Sequence, residues 1–584
     1  MLTSNARRAR LIGALHVVVT IGSLLLTTVV DAAIELKLQG VGDPEVRRQL
    51  LAYIGPPPED SADGLEDFVR DLGDKARRAL QAVGYYAAKI EYETVRQEAQ
   101  ILVLVNVQLG MPVLVKAINL RVEGDAGEDE AFQRLLGEPG MAVGDTLDHG
   151  KYEAIKDKLL ELTQRRGYFA ARFLVQRVAV SRAERSAVID LVLLSGVRHV
   201  FGDITFDATP IDSEQLPRWL PFSRDTPYHA DLVAAGTNAL RDTGYFSHVR
   251  LVLQHEQVRD GRIPVHVQLQ PAAPNKVSFG VGFATDTGPR ARATWDKPYL
   301  NSDGHSLRTE IAASRVRSSL GASYRIPSVT TPARRYYQLE AALHAEDYQD
   351  TQSTSRTAAM RRVTDTESGW RQDAYLRWQN ETFEVGADRN TSNMYIPGIG
   401  YTHYERGASL RARQGARYGV RLEGASRDLL SDVDMQKIVA NGKWLWPFQE
   451  RHRVIVRADL GALATNDFDR LPSTERFFTG GDQSVRGFGY RSIAPEDDNG
   501  VLIGGRYLNV ASAEFVWQYT PSWGLAVFTD TGRAYNERDE PFRVGVGFGL
   551  RWQSPIGTLR VDLGFGVSED TVPTRLHLTF GPDL

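Results

Sequence analysis

Arg486 is the residue whose surroundings most need a chemical explanation. It lies in Phe477-Phe478-Thr479-Gly480-Gly481-Asp482-Gln483-Ser484-Val485-Arg486-Gly487-Phe488-Gly489-Tyr490, a stretch rich in glycine and aromatics and poor in solubilising charge. A guanidinium folded inward from such a segment needs an anionic partner, because its desolvation is otherwise uncompensated. Two downstream carboxylates have the right parity. Ala513, Phe515 and Trp517 form one apolar strand face, so Glu514 lies on the other. Leu525 and Val527 likewise set Asp530 on the opposite face of its strand. Arg486 is expected to pair with Glu514, Asp530 or both. The alternative is a solvated surface loop with an ordinary arginine.

Other chemistries find little support. The chain has no cysteine, which removes disulfides, thiolate zinc sites, cysteine nucleophiles and a lipidated N-terminal cysteine. His149, His229 and His255 are isolated and lack metal-ligand spacing, and no Gly-x-Ser-x-Gly elbow occurs. The expectation is no catalytic residue, no metal and no cofactor. Lys+Arg number 69 against Asp+Glu 73, a net charge of -4, so no basic field suggests a nucleic-acid partner.

The elements that would position Arg486 are strands. From 276 to 582 apolar and polar residues alternate, as in Val277, Phe279, Val281 and Phe283 against Lys276, Ser278, Gly280 and Gly282. The same alternation recurs in 543–552 and 559–566. Period two with one continuous apolar face fits lipid outside and water inside. In lipid such a sheet must close on itself. The alternation predicts about sixteen strands, an even number that returns both ends to one side. The first strand (276–286) and the last (573–582) must then meet at a seam carrying Val277, Phe279, Gly280 and Gly282 on one side and Leu576, Leu578 and Phe580 on the other. Two glycines, a short last strand and Pro582, which lacks a donor, make that seam weak. The connection 464–504 is long and glycine-rich, and it is expected to fold into the lumen.

Upstream, one phrase recurs three times: Gly84-Tyr85-Tyr86, Gly167-Tyr168-Phe169 and Gly244-Tyr245-Phe246. Each follows a helical pattern (Leu65–Val83, Tyr152–Arg166, Ala230–Thr243) and precedes a strand pair. The unit reads β-α-α-β-β. Residues 1–32 resemble a secretory signal, with Arg7, Arg8 and Arg10 before an apolar run and cleavage expected after Ala32.

Val485-Arg486-Gly487-Phe488 resembles the loop signature of the Omp85 superfamily, and the repeats resemble POTRA domains. Three repeats, sixteen strands, Phe477-Phe478-Thr479-Gly480-Gly481-Asp482, Ser492-Ile493-Ala494-Pro495 and the tail Gly581-Pro582-Asp583-Leu584 resemble its TamA branch, the outer-membrane subunit of a translocation and assembly module. The resemblance implies three α+β POTRA domains (33–112, 113–196, 197–272), then a 16-stranded antiparallel transmembrane β-barrel (273–584). The barrel would sit in the outer membrane with the POTRA domains in the periplasm. It further implies that acidic residues of the barrel wall hold Arg486. The implied partners are the lipid bilayer, client outer-membrane proteins such as autotransporters and a TamB-like partner anchored in the inner membrane and spanning the periplasm. A non-enzymatic insertase working through the seam is the expected function. The alternative is a secretion pore for a soluble passenger, of the two-partner type; that type has two POTRA domains and a plug helix, for which the sequence leaves no room before the first repeat.

Overall fold

The computed structural model describes residues 33–58, 62–97, 100–348, 351–366, 368–385, 388–405, 414–449, 451–554 and 557–581. The apolar segment 1–32, its expected cleavage site and Pro582 lie outside them. The chain divides into two compact units, one ending at Arg198 and one beginning at His199.

The first unit holds two repeats. In the first, β1 (Ala33–Gln39), α1 (Pro44–Ile54), α2 (Ala62–Ala82), β2 (Lys89–Gln97) and β3 (Gln100–Gln108) place β3 at the centre of a three-stranded sheet. Asp43 starts α1 by accepting the Glu45 N–H at 2.8 Å, and Pro44 fills the first helical position. Leu50, Leu72 and Leu80 pack on Val103, Val105 and Val107. In the second, β4 (Leu114–Glu123), α3 (Glu130–Gly137), α4 (His149–Arg166), β5 (Arg172–Ser181) and β6 (Ser186–Leu194) repeat that order, with β6 central.

The recurring phrase has a structural cause. α4 stops at Gly167, whose φ of 89° and ψ of 23° suit a residue without Cβ. Tyr168 then turns back into the core. Its ring meets Phe132 edge-on at 5.5 Å, and its hydroxyl donates to Asp129 at 3.1 Å. Tyr85, the counterpart of Tyr168 in the first repeat, packs on that repeat's own core, and the next residue, Tyr86, has a different use. It packs against the core of the second repeat and hydrogen-bonds His149 at 2.7 Å. His149 thus serves a domain junction.

The second unit begins with β7 (Val200–Phe206), a 3-10 turn (Leu216–Trp219), α5 (Ala230–Asp242), β8 (Phe246–Leu253) and β9 (Arg262–Pro271). The first helical position of this repeat is the 3-10 turn. Pro217 lies within it and Pro221 follows two residues after its end, and a proline inside a helix removes a backbone donor. His229 caps α5 by accepting the Asp231 N–H at 3.2 Å.

Sixteen strands follow: β10 (Lys276–Ala284), β11 (Gly288–Lys297), β12 (Ser306–Ser314), β13 (Arg317–Pro327), β14 (Arg335–Tyr348) and β15 (Thr351–Asp365). Next come β16 (Trp370–Val385), β17 (Asp388–Glu405), β18 (Gly415–Ala425), β19 (Met435–Phe448) and β20 (His452–Thr465). The set ends with β21 (Tyr507–Gln518), β22 (Trp523–Tyr535), β23 (Arg543–Ser554), β24 (Gly557–Gly566) and β25 (Thr574–Gly581). Each pairs antiparallel with its chain neighbours. Ile311, Met360, Leu376, Val527 and Phe548 point outward and are exposed, while Gln379, Glu381, Asp530, Arg551 and Asp562 point inward and are buried. This is the polarity of a barrel in lipid. Stacked Trp444–Trp446 and Trp523–Trp552 stand at hairpin ends on the side of the third repeat, where an aromatic belt meets the membrane interface.

The third repeat is bonded to the barrel base. Tyr245 donates its hydroxyl to the Gly304 carbonyl at 2.5 Å, Asp212 N–H donates to the Ser302 carbonyl at 2.9 Å, and Tyr299 donates to the Ala272 carbonyl at 2.8 Å. Ser302 and Gly304 belong to the turn between β11 and β12. Burial pushes the Tyr245 hydroxyl up to about 12, so it remains a donor.

One expectation needs correction. β10 and β25 form no ladder among the described residues. The Leu578 N–H does reach Thr285 Oγ1, just beyond β10, at 3.2 Å. An antiparallel register continued from that contact sets Phe283 opposite Phe580 and runs residues 276–281 past Gly581. In that register residues 282–284 of β10 lie opposite residues 579–581. Phe279 and Val281 are 81% and 88% exposed.

Candidate functional site: a loop anchored in the lumen

Residues 466–506 leave β20 on the side opposite the third repeat and fold into the lumen. The segment has structure of its own: bridges join Phe477 to Gly505, Thr479 to Ile493 and Glu496 to Leu502. Leu471, Phe477, Val485, Phe488 and Ile493 are buried, which explains the few charges in the sequence.

Arg486 is the central anchor. Its Nε and Nη2 donate to the two oxygens of Asp530 at 2.7 and 2.9 Å, a bidentate pair. Nη1 donates to Glu514 at 2.6 Å and to Asp562 at 3.2 Å. Its backbone N–H also reaches Asp530, at 3.0 Å. Its guanidinium carbon lies 3.4 Å from the centre of the Phe528 ring. Both carboxylates named by strand parity are therefore engaged.

Two further inward-facing residues, not expected at the site from the sequence, join it. Asp562 sits between outward Val561 and Leu563, and Arg551 between Leu550 and Trp552. Arg551 donates to Glu514 at 2.9 Å and to Asp562 at 2.5 Å. Three carboxylates thus share two guanidiniums. A third cation, Arg457 on β20, donates to the carbonyls of Gln483 and Ser484. The site is an interlocked charge network in which each carboxylate has a donor.

Glycines let the backbone come this close to the wall. Gly487 has φ 94°, and a Cβ there would meet Gly566 N at 2.8 Å. A Cβ on Gly545 would lie 1.9 Å from the Arg486 carbonyl oxygen. Val485 is fully buried, and Phe488 packs with Ile493 and Val510. All four residues of the signature are thus seated.

A second anchor grips the start of the loop. Ser473 Oγ, Thr474 N–H and Thr474 Oγ1 all donate to Glu381 on β16. Glu475 accepts from Arg377 at 2.9 Å and from Lys437 at 2.8 Å. A third contact touches the seam: Gly487 N–H donates to His577 Nε2 on β25 at 2.9 Å. Of the seam residues, Val277, Phe279, Leu576 and Phe580 are exposed on the outer face, and Gly280 and Gly282 are exposed as well.

A barrel with a loop locked into its lumen, a first and last strand that form no ladder among the described residues, and an α+β repeat bonded to its base defines a class of membrane protein. The chain belongs to the Omp85 superfamily, whose domain matches residues 273–582, and the POTRA domain of the TamA domain 1 type matches residues 35–109. Outer membrane protein assembly factor BamA of Nitratidesulfovibrio vulgaris is 25% identical over 347 residues, 56% of this chain and 44% of that protein. BamA of Buchnera aphidicola is 20% identical over 178 residues, 30% of this chain and 29% of the relative. The chain thus spans less than half the length of these curated relatives. The crystal structure of BamA from Haemophilus ducreyi lacking POTRA domains 1-3 has the same fold, with TM-score 0.64 at 15% identity over 80% of this chain and 99% of that one. The barrel is an outer-membrane one and the POTRA domains face the periplasm.

Proposed function

We propose that this protein assists the insertion or export of other outer-membrane proteins by offering the free edge of β10 to an incoming β-strand. The observation that carries the reading is the unpaired seam. Residues 276–281 have no ladder partner on β25 among the described residues, and an unpaired strand edge is a template for backbone hydrogen bonds from another chain. A cleft of about 540 Å³ lined by Gly280, Gly282, Phe283 and Phe580 opens beside that edge. The POTRA edge strands β2, β5 and β8 present the same backbone chemistry toward the periplasm. The work is non-covalent and uses no cofactor.

At a finer level, the TamA-type first POTRA domain supports assembly of clients such as autotransporters and a TamB-like partner docked on the periplasmic arm. The two-partner secretion pore is the weaker reading, since the anchored loop occupies the lumen such a passenger would need.

A disulfide across the seam tests the proposal. The chain has no native cysteine, so an engineered pair acts alone. Locking β10 to β25 is expected to abolish client assembly, with recovery on reduction. Full activity in the oxidised form refutes the seam as the working site. Crosslinking from β1 and from β10 in cells identifies partner and client.

A further inference from the structure

Asp482 stands where the loop, the first hairpin and the last strand meet. Its backbone N–H donates to Asp286 Oδ2 at 2.6 Å, in the turn between β10 and β11. Its Oδ1 accepts from Thr285 Oγ1 at 3.2 Å and lies 2.5 Å from His577 Nδ1 on β25. Thr285 Oγ1 in turn accepts the Leu578 N–H. One loop residue therefore reaches both sides of a seam that has no ladder among the described residues.

Hydrogen-bond chemistry fixes the roles. The Gly487 N–H can only donate, so His577 Nε2 is the bare nitrogen. Nδ1 then carries the proton and donates to Asp482. Asp286, Asp482 and His577 lie close enough to suggest a metal site, their ligand atoms within 4.8 Å of one another. A metal would need the nitrogen that bears the proton. The three residues are a hydrogen-bonded network instead. Their burial supports this: the His577 and Asp482 side chains are only 2% and 5% exposed.

We propose that Asp482, with His577, Thr285 and Asp286, is a clasp that holds β10 against β25 in place of strand pairing, so that the seam opens only when the loop tip lets go. The Arg486 anchor rests on β21, β22 and β24, away from β10. The tip can release while the anchor stays. The clasp is thus a separate device from the charge network, although both lie on one short run of loop. Its use during client entry rests on the function proposed above; its effect on the seam does not.

Spin labels at Val281→Cys and Leu576→Cys, both on the exposed outer face, read the seam distance by pulsed EPR in lipid nanodiscs. The full-length protein is used, without client. Asp482→Ala and His577→Ala are expected to shift the distribution to longer, broader distances. His577→Gln should stay near wild type, because its amide can accept from Gly487 and donate to Asp482. Tryptic protection of the loop at Arg476 and Arg491 should persist in all three. A wild-type distribution in Asp482→Ala overturns the clasp. So does a longer distance that appears only with loss of loop protection, since the whole loop has then left. If Asp482→Ala gives no heat-modifiable, folded barrel, Thr285→Ala decides: a smaller shift in the same direction supports the clasp, and an unchanged distribution overturns it. A seam that opens normally in a protein that fails to assemble clients counts against the functional reading alone.

Discussion

Replacing Arg486 with alanine tests whether the charge network holds the loop. The side chain gives four hydrogen bonds to three carboxylates, and Asp530 is fully buried. Removing one partner of a buried ion pair costs about 3–5 kcal/mol, because the other charge is left uncompensated. Here the low end applies. Arg551 still serves Glu514 and Asp562, and Ser512 Oγ still donates to Asp530 at 2.6 Å. A loss of about 3 kcal/mol raises the loop-opening constant on the order of 100-fold. Limited trypsinolysis at Arg476 and Arg491 reads that constant directly when closing outpaces cleavage. Arg486→Lys should fall between, since an ammonium is a point charge that cannot span three carboxylates. A cleavage rate raised by less than about tenfold in Arg486→Ala would mean that other contacts hold the loop, and the anchoring argument would fail.

Gly545→Ala places a methyl 1.9 Å from the Arg486 carbonyl, so it should expose the loop to protease as Arg486→Ala does. Gly280→Ala is its control, since the nearest atom to that Cβ is 4.0 Å away and loop protection should not change. In the second POTRA domain, burial opposes the charge of Asp129, but the Ala131 N–H, the Arg166 guanidinium and the Tyr168 hydroxyl outweigh it and hold the carboxyl below its usual range. A depressed folded-state pKa stabilises above the unfolded value of about 4 and is lost as pH falls through the folded one. Asp129→Asn in a fragment of residues 33–198 should therefore cost about 1–3 kcal/mol at pH 7 in urea unfolding. The gap to wild type should narrow steadily on acidification below about pH 4, and a gap independent of pH refutes the assignment.

Much of the barrel was legible because lipid imposes a strict rule on each strand. Alternation alone fixes which residues face inward, and that is how Glu514 and Asp530 stand out in the sequence. The same rule applied to Val561-Asp562-Leu563 and Leu550-Arg551-Trp552 would have found the rest of the network. What parity cannot supply is register between distant strands. Asp482 meeting His577 depends on where the loop tip lands, and no local pattern encodes it. The absence of a ladder among the described residues was hidden for the same reason: the composition of 276–286 and 573–582 suggested weakness, but their offset is a property of the whole sheet. In the repeats, the glycine after each helix was readable from its conformational role. Tyr86 was not: Tyr85, the counterpart of Tyr168, serves its own core, whereas the next residue, Tyr86, serves a neighbouring domain that no local pattern names.

The bonds from the third POTRA domain to the β11–β12 turn have a mechanical consequence. That turn is one strand removed from the free edge of β10, on the periplasmic face. A pull or twist applied to the domain is delivered through Tyr245 and Asp212 to the weakest part of the wall, bypassing the well-paired strands that make up the rest of the circumference. The third domain and the edge of β10 are thus joined over a short distance, and a force on that domain is carried to the wall beside that edge.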